Sequence, residues 1–258
     1  MPRRVPTGPR PKAMPDVGDT LVLCYHAISE RWPADLSVRP AEFSRQLAFL
    51  ADRGYRAVTF EEAVGGPDEG RRVAVTFDDA FTSVVTAAKP VLDRLGWVAT
   101  VFAVSRFAAT GGRLRWDGIA HWETTEHAAE LEGLDWNGLR ELADAGWEVG
   151  SHTVDHPRLT RCDDQALDRE LSESRAAVEA ELQRPCPSIA YPYGDCDERV
   201  IAAAARAGYR AAAALPAHWE NPRPLAWPRA GIYHPDDFRR FRLKVSPAVR
   251  RVRLLLHR

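Results

Sequence analysis

VAVTFDDA, residues 73–80, is the stretch whose reading decides the fold. Val73, Ala74, Val75, Thr76 and Phe77 are apolar, β-branched or aromatic, the make-up of a short strand buried on both faces. Asp78 and Asp79 end it. Burying either carboxylate unpaired would be costly, so the pair belongs at an accessible strand end or beside a cation. Neighbouring side chains on an extended backbone point in opposite directions. The two carboxylates can therefore do different work, one holding a metal and the other moving a proton. Either can also cap a helix that begins near Thr82.

Working outward, residues 20–25 (TLVLCY) predict a first buried strand that ends at His26. A helix over 40–53 starts at Pro40 and stops at Gly54. A short strand at 55–59 follows, with Thr59 capping a brief helix over 60–64. After the central strand come a helix over 82–95 closed by Gly96, a strand at 98–104, and an irregular insertion at 105–135. A helix at 136–145 and a strand at 147–150 deliver Ser151 and His152. The longest helix spans 163–183, residues 188–191 lead into PYGDCD, a helix occupies 197–207, and strands lie at 209–214 and 229–233. Short buried strands alternating with amphipathic helices mean parallel strands joined by helical crossovers. At 258 residues this fits a (β/α) barrel or an open doubly wound sheet. No GxGxxG follows the first strand, which argues against a dinucleotide fold. The chain reads as a single α/β domain over 19–238, preceded by a proline-rich basic arm at 1–18 and followed by a basic tail at 239–258.

A net charge of −1 gives no electrostatic reason to expect nucleic acid as a partner. Cys24, Cys162, Cys186 and Cys196 show no CxxC spacing, so neither a zinc finger nor a dense disulfide framework is indicated. The N-terminus lacks the apolar run of a signal peptide, and no segment is long and apolar enough to span a bilayer. The expected compartment is the cytoplasm. The tail holds eight Lys/Arg and no Asp or Glu. With Ser246 as cap and Pro247 as first residue, it can form a helix that docks on the barrel or lies on an anionic membrane.

Four polar clusters follow predicted strands: His26, Asp78 with Asp79, His152 with His156, and Tyr191 to Asp195. In a parallel barrel the carboxyl ends of the strands build the active site. If SHTVDHP makes a helical turn, His152 and His156 share one face and can chelate one ion. With Asp79 they form a two-His, one-carboxylate set that leaves positions open for water and substrate. In the irregular insertion, Trp116, Trp122 and His121 can stack on a flat or ring-shaped ligand.

TFDD at 76–79, HTVDH at 152–156 and YPYG at 191–194 occur in the order found in polysaccharide deacetylases, carbohydrate esterase family 4. The sequence resembles that family from about Leu21 to Tyr233. The resemblance implies a distorted (β/α) barrel of seven or eight strands, with Asp78 as general base and Asp79, His152 and His156 as ligands of one divalent transition metal. Zinc is expected first, and cobalt, nickel, iron and manganese are chemically acceptable. It also implies an N-acetylated sugar as substrate, with Tyr191, Pro192 and Tyr193 lining the oxyanion and substrate site. Many members carry an Arg before the proline of the third motif, where this chain has Tyr191; Arg229 on the last strand is a candidate replacement partner for Asp78. LCYHAI at 23–28 resembles the subgroup of poly-N-acetylglucosamine deacetylases with YH on the first strand, which makes His26 the candidate acid. Ala80 stands where the family usually has glycine, a change tolerated if its φ is negative. A hydrolase of another small amide or imide, or an inactive glycan-binding homologue, are the rival readings.

Overall fold

The computed structural model describes residues 20–67, 70–216 and 221–250. The arm expected at 1–18 and the last part of the tail, 251–258, lie outside the described residues. Eight strands carry the fold: β1 (Thr20–Tyr25), β2 (Arg72–Phe77), β3 (Thr100–Ala103), β4 (Glu148–Ser151), β5 (Ser188–Ala190), β6 (Ala211–Ala214), β7 (Trp227–Pro228) and β8 (Ala230–Gly231). They pair in the order β7-β6-β5-β4-β3-β2-β1-β8, every pairing parallel. The short strand Arg56–Ala57 pairs beside β2.

The two ends of that order meet. β7 and β8 are one stretch of chain interrupted by Arg229, the first half bonded to β6 and the second to β1. Arg229 N–H donates to the Ala214 carbonyl at 3.1 Å, and Ile232 N–H to that of Cys24 at 2.9 Å. One stave thus closes the sheet into a distorted barrel. Its closing strand begins at Trp227, two residues earlier than the periodicity predicts.

Alternation sorts the side chains. Leu21, Leu23, Tyr25, Val73, Val75 and Phe77 pack outward in the main core under the helices, whereas Val22, Ala74, Phe102, Ala190, Ala213 and Trp227 fill the barrel. The interior is narrow: a Cβ at Gly150 would lie 2.6 Å from the Phe102 ring and from Ser188 Oγ. The foot of the barrel is covered by α2 (Phe60–Gly65), whose Thr59–Glu62 capping box fixes its start. Phe60 meets Phe102 with ring centroids 5.6 Å apart.

The other helices form the outer layer: α1 (Pro40–Ala51), α3 (Lys89–Leu95), α4 (Ser105–Thr110), α5 (Trp136–Asp144), α6 (Asp164–Leu182), α7 (Glu198–Arg206) and α8 (Phe238–Val245). The helix expected over 82–95 opens as a π turn at Val84–Ala88. Pro90 brings no N–H and crowds the preceding turn, so a wider turn is accommodated there. The irregular insertion has a small core of its own, in which Leu114, Ile119 and Leu131 pack with Trp32 and Phe81 from other parts of the chain.

α8 begins at Phe238, the last residue of the expected barrel and one residue before the expected tail. Phe241 is fully buried, and its ring and that of Phe238 pack on Phe49 of α1 at 6.1 and 5.4 Å. Arg250 is also buried and donates from Nη1 to the Thr20 carbonyl at 3.1 Å. Residues 239–250 are therefore packed on the barrel rather than trailing from it. Phe241→Ala should cost about 3–5 kcal/mol, read as a lower chemical denaturation midpoint. A loss below about 1 kcal/mol, the scale of a surface change, would contradict that packing.

Candidate active site

The register of the staves sets the site. Tyr25 pairs with Phe77 and Ala103 with Ser151, so β1, β2 and β4 end at neighbouring positions. The next residues are His26, Asp78 and His152, and the hydrogen bonds from Asp78 N–H to Tyr25 O (3.0 Å) and His152 N–H to Ala103 O (2.8 Å) continue the ladder. Asp78 shares the inward parity of Ala74 and Thr76. Arg229 shares that of Trp227 on the closing stave.

The two meet inside the barrel. Arg229 Nη1 donates to Asp78 Oδ1 at 2.6 Å and Nη2 to Oδ2 at 2.7 Å, a bidentate pair between buried side chains. Nη1 also donates to Thr76 Oγ1 at 3.0 Å. Burial pushes the Asp78 carboxyl up, but the Arg229 guanidinium, with His152 and His26 beside it, holds the group well below the usual carboxylate range. The Cys24 thiol lies 3.4 Å from Asp78 Oδ2. His26 is buried, its Nδ1 has no hydrogen-bond partner, and burial lowers its pKa. Neither aspartate caps a helix.

Asp79 turns away from Asp78 because its backbone is left-handed, at φ +72. Ala80 follows at φ +58. The condition that Ala80 have negative φ is thus not met: an L side chain sits in a conformation that favours glycine. Asp79 Oδ1 lies 3.3 Å from His152 Nε2 and 3.4 Å from His156 Nε2. Donors holding an ion at about 2.0–2.1 Å in tetrahedral array lie roughly 3.3 Å apart, so the spacing fits a metal centre. Asp79 Oδ1 is buried without a hydrogen-bond partner, as a ligand oxygen would be before it binds. His152 Nδ1 is 2.8 Å from the Ala190 carbonyl, which assigns its proton there and leaves Nε2 as the donor atom. Burial pushes His156 down to about 3, which keeps the imidazole in its metal-binding neutral form. Asp79, His152 and His156 thus form a group that can hold a divalent ion.

No helical turn brings the histidines together. Residues 152–158 form an irregular loop with Thr153 at φ +70 and His156 at φ +59. Thr153 Oγ1 accepts from His156 N–H at 3.0 Å, closing the turn.

Residues 65–212 match the family described as polysaccharide deacetylase. The chain belongs to the polysaccharide deacetylase family. It is 30% identical over 183 residues to a chitooligosaccharide deacetylase of Rhizobium leguminosarum, covering 68% of this chain and 66% of that one. It is 21% identical over 199 residues to a poly-β-1,6-N-acetyl-D-glucosamine N-deacetylase of Staphylococcus aureus, covering 72% and 63%. The chain thus spans under two thirds of the length of either curated relative. IcaB from Ammonifex degensii has the same fold, with TM-score 0.67 at 24% identity over 90% of this chain and 97% of that one.

Within this deacetylase fold the third-motif residues separate. Tyr191 does not line the site. It is fully buried in the outer core and its hydroxyl donates to the Leu225 carbonyl at 2.9 Å, because Ala190 takes the inward position and alternation sends Tyr191 out. Pro192 is buried. Tyr193, at φ +61, does reach the site: its ring meets His156 edge-on at 4.7 Å and carries the Arg158 guanidinium 4.1 Å above it. Trp116 stacks on His156 at 4.2 Å and 28°, so one face of the expected stacking platform is taken by that histidine. Trp122 and His121 pack against each other, with Trp122 also against Trp32. Cys24 and Thr76 were not among the expected site residues, although their spacing of two from His26 and Asp78 places them on the same inward face.

Arg229→Ala leaves Asp78 buried without its cation, a change expected to cost about 3–5 kcal/mol. Thermal or denaturant unfolding checks this. Stability within about 1 kcal/mol of the parent would mean that the pair is not what holds the closing stave.

Proposed function

We propose that the chain is a metal-dependent N-deacetylase that hydrolyses the acetamide of an N-acetylglucosamine-type glycan to amine and acetate, with zinc as its metal. The carrying observation is the juxtaposition of two carboxylates with separate settings, Asp78 locked on Arg229 and Asp79 turned toward two histidines, at the carboxyl ends of the staves. The curated relatives' names support an N-acetylated glycan. So does a cleft of about 700 Å³ beside the site, reached through Tyr193 and lined by Arg158, Asp195, Asp197 and Glu198, polar enough and wide enough for sugar rings.

A divalent ion held by Asp79, His152 and His156 supplies the Lewis acidity that amide hydrolysis near neutral pH requires. Asp78, kept ionised by Arg229, accepts the proton of the attacking water. The same pairing makes Asp78 a weak base that passes the proton on readily, and His26 is the receiver: Asp78, His26 and Cys24 each offer an atom within 4.8 Å of the others. His26 then protonates the departing nitrogen. The Tyr193 amide, at its turn beside His156, is the proposed oxyanion donor. Trp116 orients His156 and offers its remaining surface to the sugar. Acetate release from β-1,4- and β-1,6-linked N-acetylglucosamine oligomers, before and after chelation, tests the assignment. Release that survives complete metal removal would reject it.

The two aspartates should separate under mutation. Asp79→Ala and His152→Ala should lose bound metal together with activity. Asp78→Asn should keep normal metal content while kcat falls by roughly 100-fold or more. Metal analysis of the purified variants decides, and loss of metal from Asp78→Asn but not from Asp79→Ala would reverse the roles.

His26→Ala should retain metal and lose N-acetyl hydrolysis, with activated aryl esters much less affected because their leaving groups need little protonation. Equal losses on both substrates would give His26 a positioning role instead.

We further propose a peripheral contact with anionic membrane through the basic segment after residue 238. Arg239, Arg240 and Arg242 are exposed on α8, beside Leu243 at 50% exposure, and the sequence continues RVRLLLHR. Arg250 bonds Thr20 at the start of β1, so the described part of the segment ends at the foot of the barrel. Truncation after Arg250 should weaken sedimentation with phosphatidylglycerol vesicles at low salt. Full-length protein that ignores such vesicles would end the membrane reading.

A further inference from the structure

The loop carrying both histidines gets its shape from outside. On one side α4 supplies donors: Ser105 N–H bonds the Thr153 carbonyl at 3.1 Å and Arg106 N–H that of Val154 at 3.2 Å. On the other side lies α6. Glu170, 1% exposed, reaches from it so that Oε2 accepts from the backbone N–H groups of Val154 and Asp155, both at 2.9 Å. Its Oε1 accepts from Arg169 Nη2 at 2.9 Å. One turn along the same face, Ser174 Oγ is 2.8 Å from Ser151 Oγ, which accepts from Thr153 N–H at 3.1 Å.

We propose that Glu170 is a positioning residue of the metal site, clamping Val154 and Asp155 so that His152 and His156 converge on Asp79. The inference rests on the reading that these three side chains bind metal. His156 depends most on the clamp, since its Nδ1 has no hydrogen-bond partner and its ring is placed by the backbone and by aromatic packing. Without the Glu170 carboxylate, two adjacent N–H groups lose their acceptor in a loop already holding two left-handed residues. The loop then relaxes and the two imidazoles no longer start from ligand spacing.

Glu170→Leu, which keeps bulk but no acceptor, and Glu170→Gln, which keeps a neutral one, test this against Val178→Ala, a buried α6 position away from the loop. Two quantities are read: the zinc dissociation constant by chelator competition, and amide hydrogen exchange at Val154 and Asp155 in metal-free protein. Glu170→Leu should weaken zinc by about 10–100-fold and speed exchange at both amides. Glu170→Gln should weaken it by less than about tenfold, with faster exchange, because a charged acceptor is roughly twice as strong as a neutral one. Val178→Ala should lower the melting temperature and leave zinc affinity unchanged. Zinc affinity in Glu170→Leu equal to wild type, or reduced no more than in Val178→Ala at matched loss of melting temperature, overturns the proposal. If Glu170→Leu does not fold, unaltered exchange in Glu170→Gln overturns it. Wild-type protein that binds no zinc would instead reject the metal reading, and the exchange data would still judge the clamp.

Discussion

The structure depends on an ion pair buried inside its barrel. Asp78 and Arg229 are both almost wholly removed from solvent and joined by two charge-assisted hydrogen bonds of 2.6 and 2.7 Å. Neither charge is tolerable there alone: desolvation costs each several kcal/mol, and only a bidentate geometry with further hydrogen bonds recovers it. That requirement ties the second stave to the last. Arg229 is the residue at which the closing stretch changes partner, from β6 on one side to β1 on the other. The pairing that sets the charge of Asp78 also completes the ring of strands, so barrel closure and the ionisation of Asp78 share one residue.

Backbone strain gathers at the same end of the barrel. Six described non-glycine residues have positive φ: Asp79, Ala80, Thr153, His156, Gln183 and Tyr193. Gln183 ends α6 in the ordinary left-handed cap. The other five carry or adjoin Asp79, His152 and His156. Residues held in sparsely populated conformations cost on the order of 1–3 kcal/mol each and persist where surrounding contacts over-determine them. Here the contacts are visible, from Thr153 Oγ1 on His156 N–H to Glu170 on Val154 and Asp155. The left-handed turn at Asp79 has a direct chemical effect: it separates two adjacent carboxylates, one aimed at an arginine inside the barrel and the other at two imidazoles.

Much of this was legible in the sequence because each stave is a short buried run followed at once by a polar cluster. Alternation alone places Cys24 with His26, Thr76 with Asp78, and Trp227 with Arg229 on the inward face. It also places Tyr191 outward, which the family motif, read as a block, obscures. The histidine loop was not legible in the same way. Its HxxxH spacing suggests a helical turn, but the loop takes its shape from α4 and α6, contacts with no local periodicity. The closing stave was only partly visible, since two-residue strands on either side of an arginine give too short a pattern. The insertion at 105–135 reads as irregular because its apolar residues pack on Trp32 and Phe81, distant in the chain.

The two histidines of the proposed metal site, His152 and His156, are held by different means, and the difference points to what the insertion does. His152 is fixed to the sheet, its Nδ1 bonded to the Ala190 carbonyl on the next stave. His156 has no such acceptor. It is pinned between the face of Trp116 and the edge of Tyr193, and both of those rings come from loops. Trp116 is backed by Phe107 at 5.7 Å, and Tyr193 by the Arg158 guanidinium above it. Aromatic stacking places a ring without fixing which nitrogen carries its proton, so the imidazole can turn its free Nε2 to Asp79 only as far as the two loops allow. One imidazole therefore follows the geometry of the barrel and the other that of the loops around its mouth. The segment that looks least ordered in the sequence is a structural wall around His156.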